Sequence, residues 1–597
     1  MSRWFWFSIT AKLIQASTLA VLFLASPELE GAGGGGGAEG STRFDSLAFI
    51  PDRSTSGPQV SVAGHPGLNW TRVRFEPRRT NGFPEELHET ASFAAPARGV
   101  SGLAYGAGTL WVASSETKRI YRVDRNNGTV VKSFAAIGDR PAGLAWVGKS
   151  LWQADPPGRG LVELDEDGVV RRRVALGFEP RALAVVRTEL LLSEWEAEVW
   201  HRIDLEKGIE VATEPGPVNH LGAMTDSGRF LYCARGSEVI LVDRSRGLPV
   251  CGFSLAPAKG APCELVGLAV ESGRLWYADA AGECIARIPV PEHGKWVAAG
   301  AQTRRASFQM AYRNPGTNRL ETATVLQHLP FLEMPGQRYI DLKVEPQPKA
   351  LFRDDLGNVV AWMDLGPLGP GESRRCEVAV TLWSADRRMV LYPGLLDGKP
   401  LSVAQQAYLT KFHPIPGEES PEVADFVKDA VGVETNPYWR VRKAHDALCR
   451  RIYYKEPVDE SVSGVLKNGF GVCRNYSAAM ESFGRLIGVP VLNSWAPRHE
   501  TSFLLLPALG PALMEVTAND SGPDPASSWR RSRWFLGTSA DEVTTGVRGF
   551  SMHNQVLLDG TPYDYHWHYW SPSGGQPLQA QGFWTVIDPQ TGKPRRL

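Results

Sequence analysis

The chain has 597 residues, with 64 Lys plus Arg against 65 Asp plus Glu, a formal charge of −1. That length argues for more than one core, and near-neutrality removes any bulk electrostatic reason to bind nucleic acid or an anionic membrane. With 61 Gly, 43 Pro and 22% charged residues, composition excludes collagen, coiled coil, a polytopic membrane protein and a disulfide-dense miniature, and it favours short strands joined by many turns.

Residues 1–27 read as a signal peptide. Arg3 and Lys12 precede an uncharged stretch from Leu13 to Ala25, too short to span a bilayer but fitting a signal h-region. The predicted location is therefore extracytoplasmic, secreted or periplasmic, with membrane attachment only through an uncleaved Trp4–Ala25 segment. Residues 28–43, which include GAGGGGGAEG at Gly31–Gly40, read as a flexible tether. They are not a phosphate loop, because no strand leads in and no helix leaves. Residues 44–97 are irregular and a candidate contributor to the repeats that follow.

From 98 to 299 the sequence repeats. Gly102-Leu103-Ala104, Gly143-Leu144-Ala145, Ala182-Leu183-Ala184, Leu221-Gly222-Ala223 and Gly267-Leu268-Ala269 open five units, and Asp124, Asp165, Asp204 and Asp243 close four of them at spacings of 41, 39 and 39. A period near 40 with several short strands per unit predicts the blades of a β-propeller, with a sixth or seventh blade to be sought in the N-terminal region. Trp111, Trp152 and Trp276 recur at one repeat position and are expected in the core. These repeats resemble those of exported bacterial propellers and of streptogramin-lyase-like enzymes. Of the seven cysteines, four (Cys233, Cys251, Cys263, Cys284) lie close enough in sequence for one or two disulfides, and no CxxC pair suggests structural zinc.

Residues 300–400 alternate apolar and polar, as at Phe308, Met310, Tyr312 and again at Cys376, Val378, Val380, Leu382, which predicts a β-sandwich. Helical period takes over in 415–597. Ser420-Pro421 and Asn436-Pro437 each place a cap before a proline, and a third helix starts near Cys473, with Tyr476, Met480, Phe483 and Ile487 on one face and Gly488 as its stop.

Cys473 follows Gly469-Phe470-Gly471-Val472, so the thiol sits on the first turn of a helix. Partial positive charge there favours thiolate, and free N–H groups can hold an oxyanion. His499 opens an apolar run 26 residues later, and Glu515 lies on the returning strand. A hairpin turning near Pro507-Ala508 would set His499 and Glu515 opposite one another, the relation of a base to its orienting acid. Asn519 and Asp520 are alternative orienters. Asp564, His566 and His568 share strand parity, a zinc-compatible spacing, but an aromatic-rich strand is the plainer reading.

GVCRNYSAAMESFGRLIGVP at Gly471–Pro490, with the His499 and Glu515 strands, resembles the transglutaminase-like superfamily, whose members share the papain-type cysteine fold. Arg533–Gly537 and Val547-Arg548-Gly549 extend the likeness, and the 300–400 region is similar to the N-terminal β-domain those proteins carry. The resemblance implies a multidomain chain: an all-β propeller plus β-sandwich, then an α+β transglutaminase-like (papain-like) domain. Its implied chemistry is acyl transfer, or amide or peptide hydrolysis, by Cys473, His499 and Glu515. No cofactor or metal is called for. The expected partners are a protein or peptide substrate and a protein or polymer on the propeller, with no nucleic acid. Bacterial members commonly carry an aromatic residue, a tryptophan and an aspartate where this chain has Thr501, Pro511 and Glu515. Those departures motivate the alternative of an inactive scaffold or binding protein. A third alternative, lyase chemistry in the propeller, ranks last because no polar set recurs across the units.

Overall fold

In the computed structural model, the residues described are 43–51, 71–81, 87, 89–216, 219–255, 263–329, 337–353, 358–409, 414–496, 499–509, 511–514 and 516, with later strands at 546–547, 553–558, 561–566, 579–587 and 594–596. The proposed signal lies outside them, as does the proposed tether except Arg43, which opens the first strand. The fold is mostly β, with many small sheets and few helices.

The repeats form five four-stranded antiparallel sheets, and each sheet's first strand contacts the first strand of its two neighbours until the circle closes. The opening glycines explain this closeness. A Cβ on Gly102 would lie 2.6 Å from the Ala142 carbonyl oxygen, on Gly143 2.6 Å from that of Arg181, and on Gly222 2.1 Å from that of Leu265. Only a residue without a side chain lets adjacent sheets approach so closely. The closing aspartates shape turns. Asp124, Asp165, Asp204 and Asp243 each accept, through Oδ1, from the backbone N–H two residues on, at 2.8–3.0 Å. These are Asx turns between the third and fourth strands of a sheet. Trp111, Trp152 and Trp276 are buried between sheets.

The fifth sheet takes its outermost strand from upstream: Ala91–Ala94 pairs with Cys284–Pro289. No sixth sheet joins the ring among the described residues. The rest of the N-terminal region does something else. Its strands Arg43–Pro51 and Thr71–Asn81 form a hairpin within a twelve-stranded antiparallel sheet, alongside Trp296–Arg313, Ala323–Leu329, Gln337–Glu345, Ala350–Arg353, Val359–Asp364 and Ser373–Met389. Strands from 553 to 596 complete that sheet. Phe308, Met310, Val325, Tyr339, Met363 and Val378 share one apolar core, so two halves of the sheet face each other. The cysteines are all free thiols. Cys233 lies in the core between the third and fourth sheets, whereas Cys251 packs against Leu391 at the edge of the ring.

Five helices follow: α1 (Val403–Ala407), α2 (Pro421–Val431), α3 (Pro437–Arg451), α4 (Val462–Asn468) and α5 (Cys473–Ile487). Asn436 caps α3 by accepting from Trp439 N–H at 3.2 Å, and Pro437 supplies the fixed φ of the first helical position. α3 is pinned to the fourth ring sheet. Tyr438 donates to the Val250 carbonyl at 2.9 Å, and Arg442, 1% exposed, donates to that of Pro249 at 2.8 Å. Arg442 Nε also straddles both oxygens of Asp446 at 2.9 and 3.0 Å.

A buried ion with its partner removed is costly, about 3–5 kcal/mol. Arg442→Met should therefore lower the urea midpoint of the helical region markedly, and Arg442→Met combined with Asp446→Leu should recover part of the loss. A single and a double variant of equal stability would refute a paired role. His445 adds a pH dependence. Burial opposes its charge, but neighbouring Cys449 and Asp446 outweigh that and push its pKa up to about 9. A pKa raised above the unfolded value gives stability that is complete below about pH 6.5 and lost as pH rises through about 9. The loss of midpoint between pH 7 and 9.5 should be smaller in His445→Gln than in wild type.

Candidate active site

The chain leaves α4 at Gly469, whose φ of 73° stops the helix in a left-handed turn. Phe470-Gly471 then pairs in parallel with Tyr453-Tyr454, which aims the next residues at the start of α5. Val472 N–H donates to the Asn475 side-chain oxygen at 3.0 Å, closing the turn below Cys473. Tyr476, Ala479, Met480, Phe483 and Ile487 form the buried stripe of α5, as their spacing predicts. Tyr476 donates to the Ile452 carbonyl at 2.7 Å, and Ser477 Oγ donates to that of Thr501 at 3.0 Å. The second of these bonds ties the helix that Cys473 opens to the strand that begins with His499.

That strand, His499–Leu505, is the second of a four-stranded sheet with Val491–Ala496, Pro511–Met514 and Gly546–Val547. The result is that Cys473 and His499, 26 residues apart in sequence, are brought close enough for the ring to act on the thiol. The thiol is half-buried. Burial resists its ionisation, but the His499 bond, the Glu500 backbone N–H, the charge on His499 and the Tyr454 hydroxyl together hold its pKa below that of an ordinary thiol. Arg474, next along, is fixed by Glu456 at 2.8 Å and Glu460 at 3.0 Å.

Glu515 lies outside the described residues, as do Asn519 and Asp520. The hairpin pairs Ser502 with Met514 and Leu505 with Pro511, two residues out of step with a pairing that sets 499 directly against 515. The connection from Leu506 to Gly510 is longer than the tight turn expected from Pro507-Ala508. Thr501 is buried, and its carbonyl serves as the anchor for Ser477. Asp564 and His566 sit on a strand of the twelve-stranded sheet, paired with Gln555 and His553, and not on the sheet of His499; His568 is outside the described residues.

Two participants are not evident from sequence. Tyr454 reaches the thiol because a two-residue parallel pairing brings it there, and no motif marks it. Glu500 is 3% exposed, and burial, then Cys473, then Glu481 push its carboxyl well above the carboxylate range. A carboxylate adjoining a candidate base was the available hint. The site thus holds a thiol whose pKa is lowered and an imidazole that helps to lower it, at the start of a helix.

No curated protein matches the sequence. Among solved structures, glutaminyl cyclase of Myxococcus xanthus is 16% identical, covering 34% of this chain and 97% of its own, with a TM-score of 0.31. A "putative cysteine protease" of Cytophaga hutchinsonii is 13% identical over 49% of this chain and 93% of its own, at 0.32. A catalytically inactive virginiamycin B lyase of Staphylococcus aureus with quinupristin is 13% identical over 41% and 100%, at 0.24. The family comparison is local and falls on the site: residues 424–500, running from α2 through Cys473 to His499, match the model of the transglutaminase-like superfamily.

Proposed function

We propose that the chain is an extracytoplasmic transglutaminase-like enzyme that transfers or hydrolyses acyl groups through Cys473, His499 and Glu515. The observation that carries this reading is the placing of the Cys473 thiol, at the start of α5, within the influence of the His499 ring, which holds its pKa down. In the proposed reaction the Cys473 sulfur, its proton passed to His499, attacks a carboxamide or peptide carbonyl. The carbonyl electron pair moves to oxygen, where N–H groups at the start of α5 receive the charge. As the oxyanion collapses, the C–N bond breaks and protonated His499 delivers its proton to the departing nitrogen, leaving a thioester on Cys473. An amine or water, deprotonated by His499, then attacks the thioester and releases the thiolate. An amine yields a crosslink; water yields deamidation or hydrolysis.

Glu515 is proposed to orient the His499 ring and Tyr454 to bond the sulfur. The ring of five sheets is proposed to be a propeller that presents a protein or polymer partner, and the sandwich-like sheet to be the β-domain preceding the catalytic module. The N-terminal segment is proposed to direct export. Nothing in the charge balance recruits nucleic acid.

Iodoacetamide should alkylate Cys473 with an inflection below the ordinary thiol value of about 8.5, and His499→Ala should move that inflection upward. An inflection near 8.5 in both proteins would favour a binding scaffold over an enzyme. With glutamine-containing peptides, wild type should release ammonia and accumulate a thioester visible by intact mass, and Cys473→Ala should do neither. Glu515→Gln should lower kcat by about tenfold or more with little change in KM, the pattern of a lost orienting acid. Activity that survives Cys473→Ala would move the chemistry elsewhere in the chain.

A further inference from the structure

A cavity lies at the far end of α5. Its volume is about 690 Å³, within the range of small-molecule sites, and it is framed by the segment before α1, the start of α3, the end of α5 and the Leu506–Leu509 turn. Cys473 begins α5 and Gly488 follows its last residue, so this cavity is about 20 Å from the thiol at the usual rise per residue.

Its lining is unusual in charge. Lys399 and Arg440 both face it, and no Asp or Glu does. Among the described residues neither cation has a carboxylate partner, and Arg440 Nε is buried without an acceptor. The acids nearest in sequence are already engaged. Asp397 accepts from Asn436 Nδ2 at 2.6 Å, and Glu434 accepts from Arg246 at 2.8 Å and lies 3.6 Å from Lys443. A guanidinium that is partly withdrawn from water without an anion lacks compensation that a ligand can supply. Thr435 adds a hydroxyl, and α3 turns its positive end toward the same space through Pro437. The remaining wall is apolar, formed chiefly by Leu401, Leu409 and Pro507.

The walls are also fixed in place. Gln405 Nε2, on α1, donates to the carbonyls of Leu506 at 2.7 Å and Leu509 at 3.1 Å. Asn436 Nδ2 donates to the Pro393 carbonyl at 2.8 Å on the opposite side. A preformed cavity loses less conformational freedom on binding than one assembled by its ligand.

We propose that this cavity binds a carboxylate borne next to an apolar group, such as a free α-carboxylate beside an aliphatic side chain. Arg440 would take the carboxylate in its two-pronged geometry, Lys399 would add a second charge, and the apolar wall would take the side chain. The chemistry is shared by a peptide C-terminus and a free amino acid.

Isothermal titration of the full chain with N-acetyl-leucine, N-acetyl-leucinamide, and Gly-Gly-Gly-Leu with a free or an amidated end tests this. The two free acids should bind, and the tighter one identifies the source. Each amide should bind about tenfold or more weakly, a difference of about 1.4 kcal/mol. Arg440→Gln should weaken both acids by a similar factor, and exposed Lys399→Gln by less, with iodoacetamide labelling of Cys473 unchanged in each. Because the acid-against-amide comparison uses wild type, it holds even if a variant folds poorly. Acid and amide binding alike, or no heat from either acid at about 10 mM, would overturn the proposal, as would unchanged affinity in a folded Arg440→Gln.

Discussion

Everything at the candidate site depends on one juxtaposition, of sulfur and imidazole, across two elements that meet only in the folded chain. Burial alone would raise the thiol's pKa and silence it. That outcome is seen in this protein: Cys376 is pushed up to about 12 by burial with nothing to oppose it. Cys473 escapes because His499, a backbone N–H and a phenol face its sulfur. The difference between a raised thiol pKa and a lowered one is here a matter of neighbours.

Holding that contact requires two rigid pieces at a fixed distance. α5 is seated by its apolar stripe and by Tyr476 on the end of α3, and the His499 strand is attached to α5 through Ser477. α3 in turn is anchored to the fourth ring sheet by Tyr438 and Arg442. The ring therefore braces the helical region as well as accompanying it, and the apolar core runs continuously from the fourth and fifth ring sheets into the helices.

Features set by local chemistry were legible in the sequence. The Cys473 helix start follows from a glycine-rich lead-in, and the ring repeats follow from glycines that permit close approach and aspartates that cap turns. Features set by distant pairing were not. Nothing near Ala91–Ala94 signals that four residues will finish a sheet begun at Leu265. Nor does the sequence around Arg43–Pro51 announce a partner such as Tyr339, almost 300 positions away. The offset of the hairpin after His499 escaped for a related reason: register depends on how many residues the turn consumes, and Leu506–Gly510 consumes more than a tight turn would. Glu500 escaped because its raised pKa follows from burial, which a strand residue beside a histidine does not reveal.

The twelve-stranded sheet has a temporal consequence. It joins a hairpin emerging early from the ribosome to strands at 579–587 and 594–596 that emerge last. The ring can close once residue 289 has been made, but the sheet must wait with exposed edges while some 300 further residues are added. Unpaired edges invite pairing with other chains. The two edges of the finished sheet, Thr561–His566 and Pro594–Arg596, are both strands from this late part of the chain.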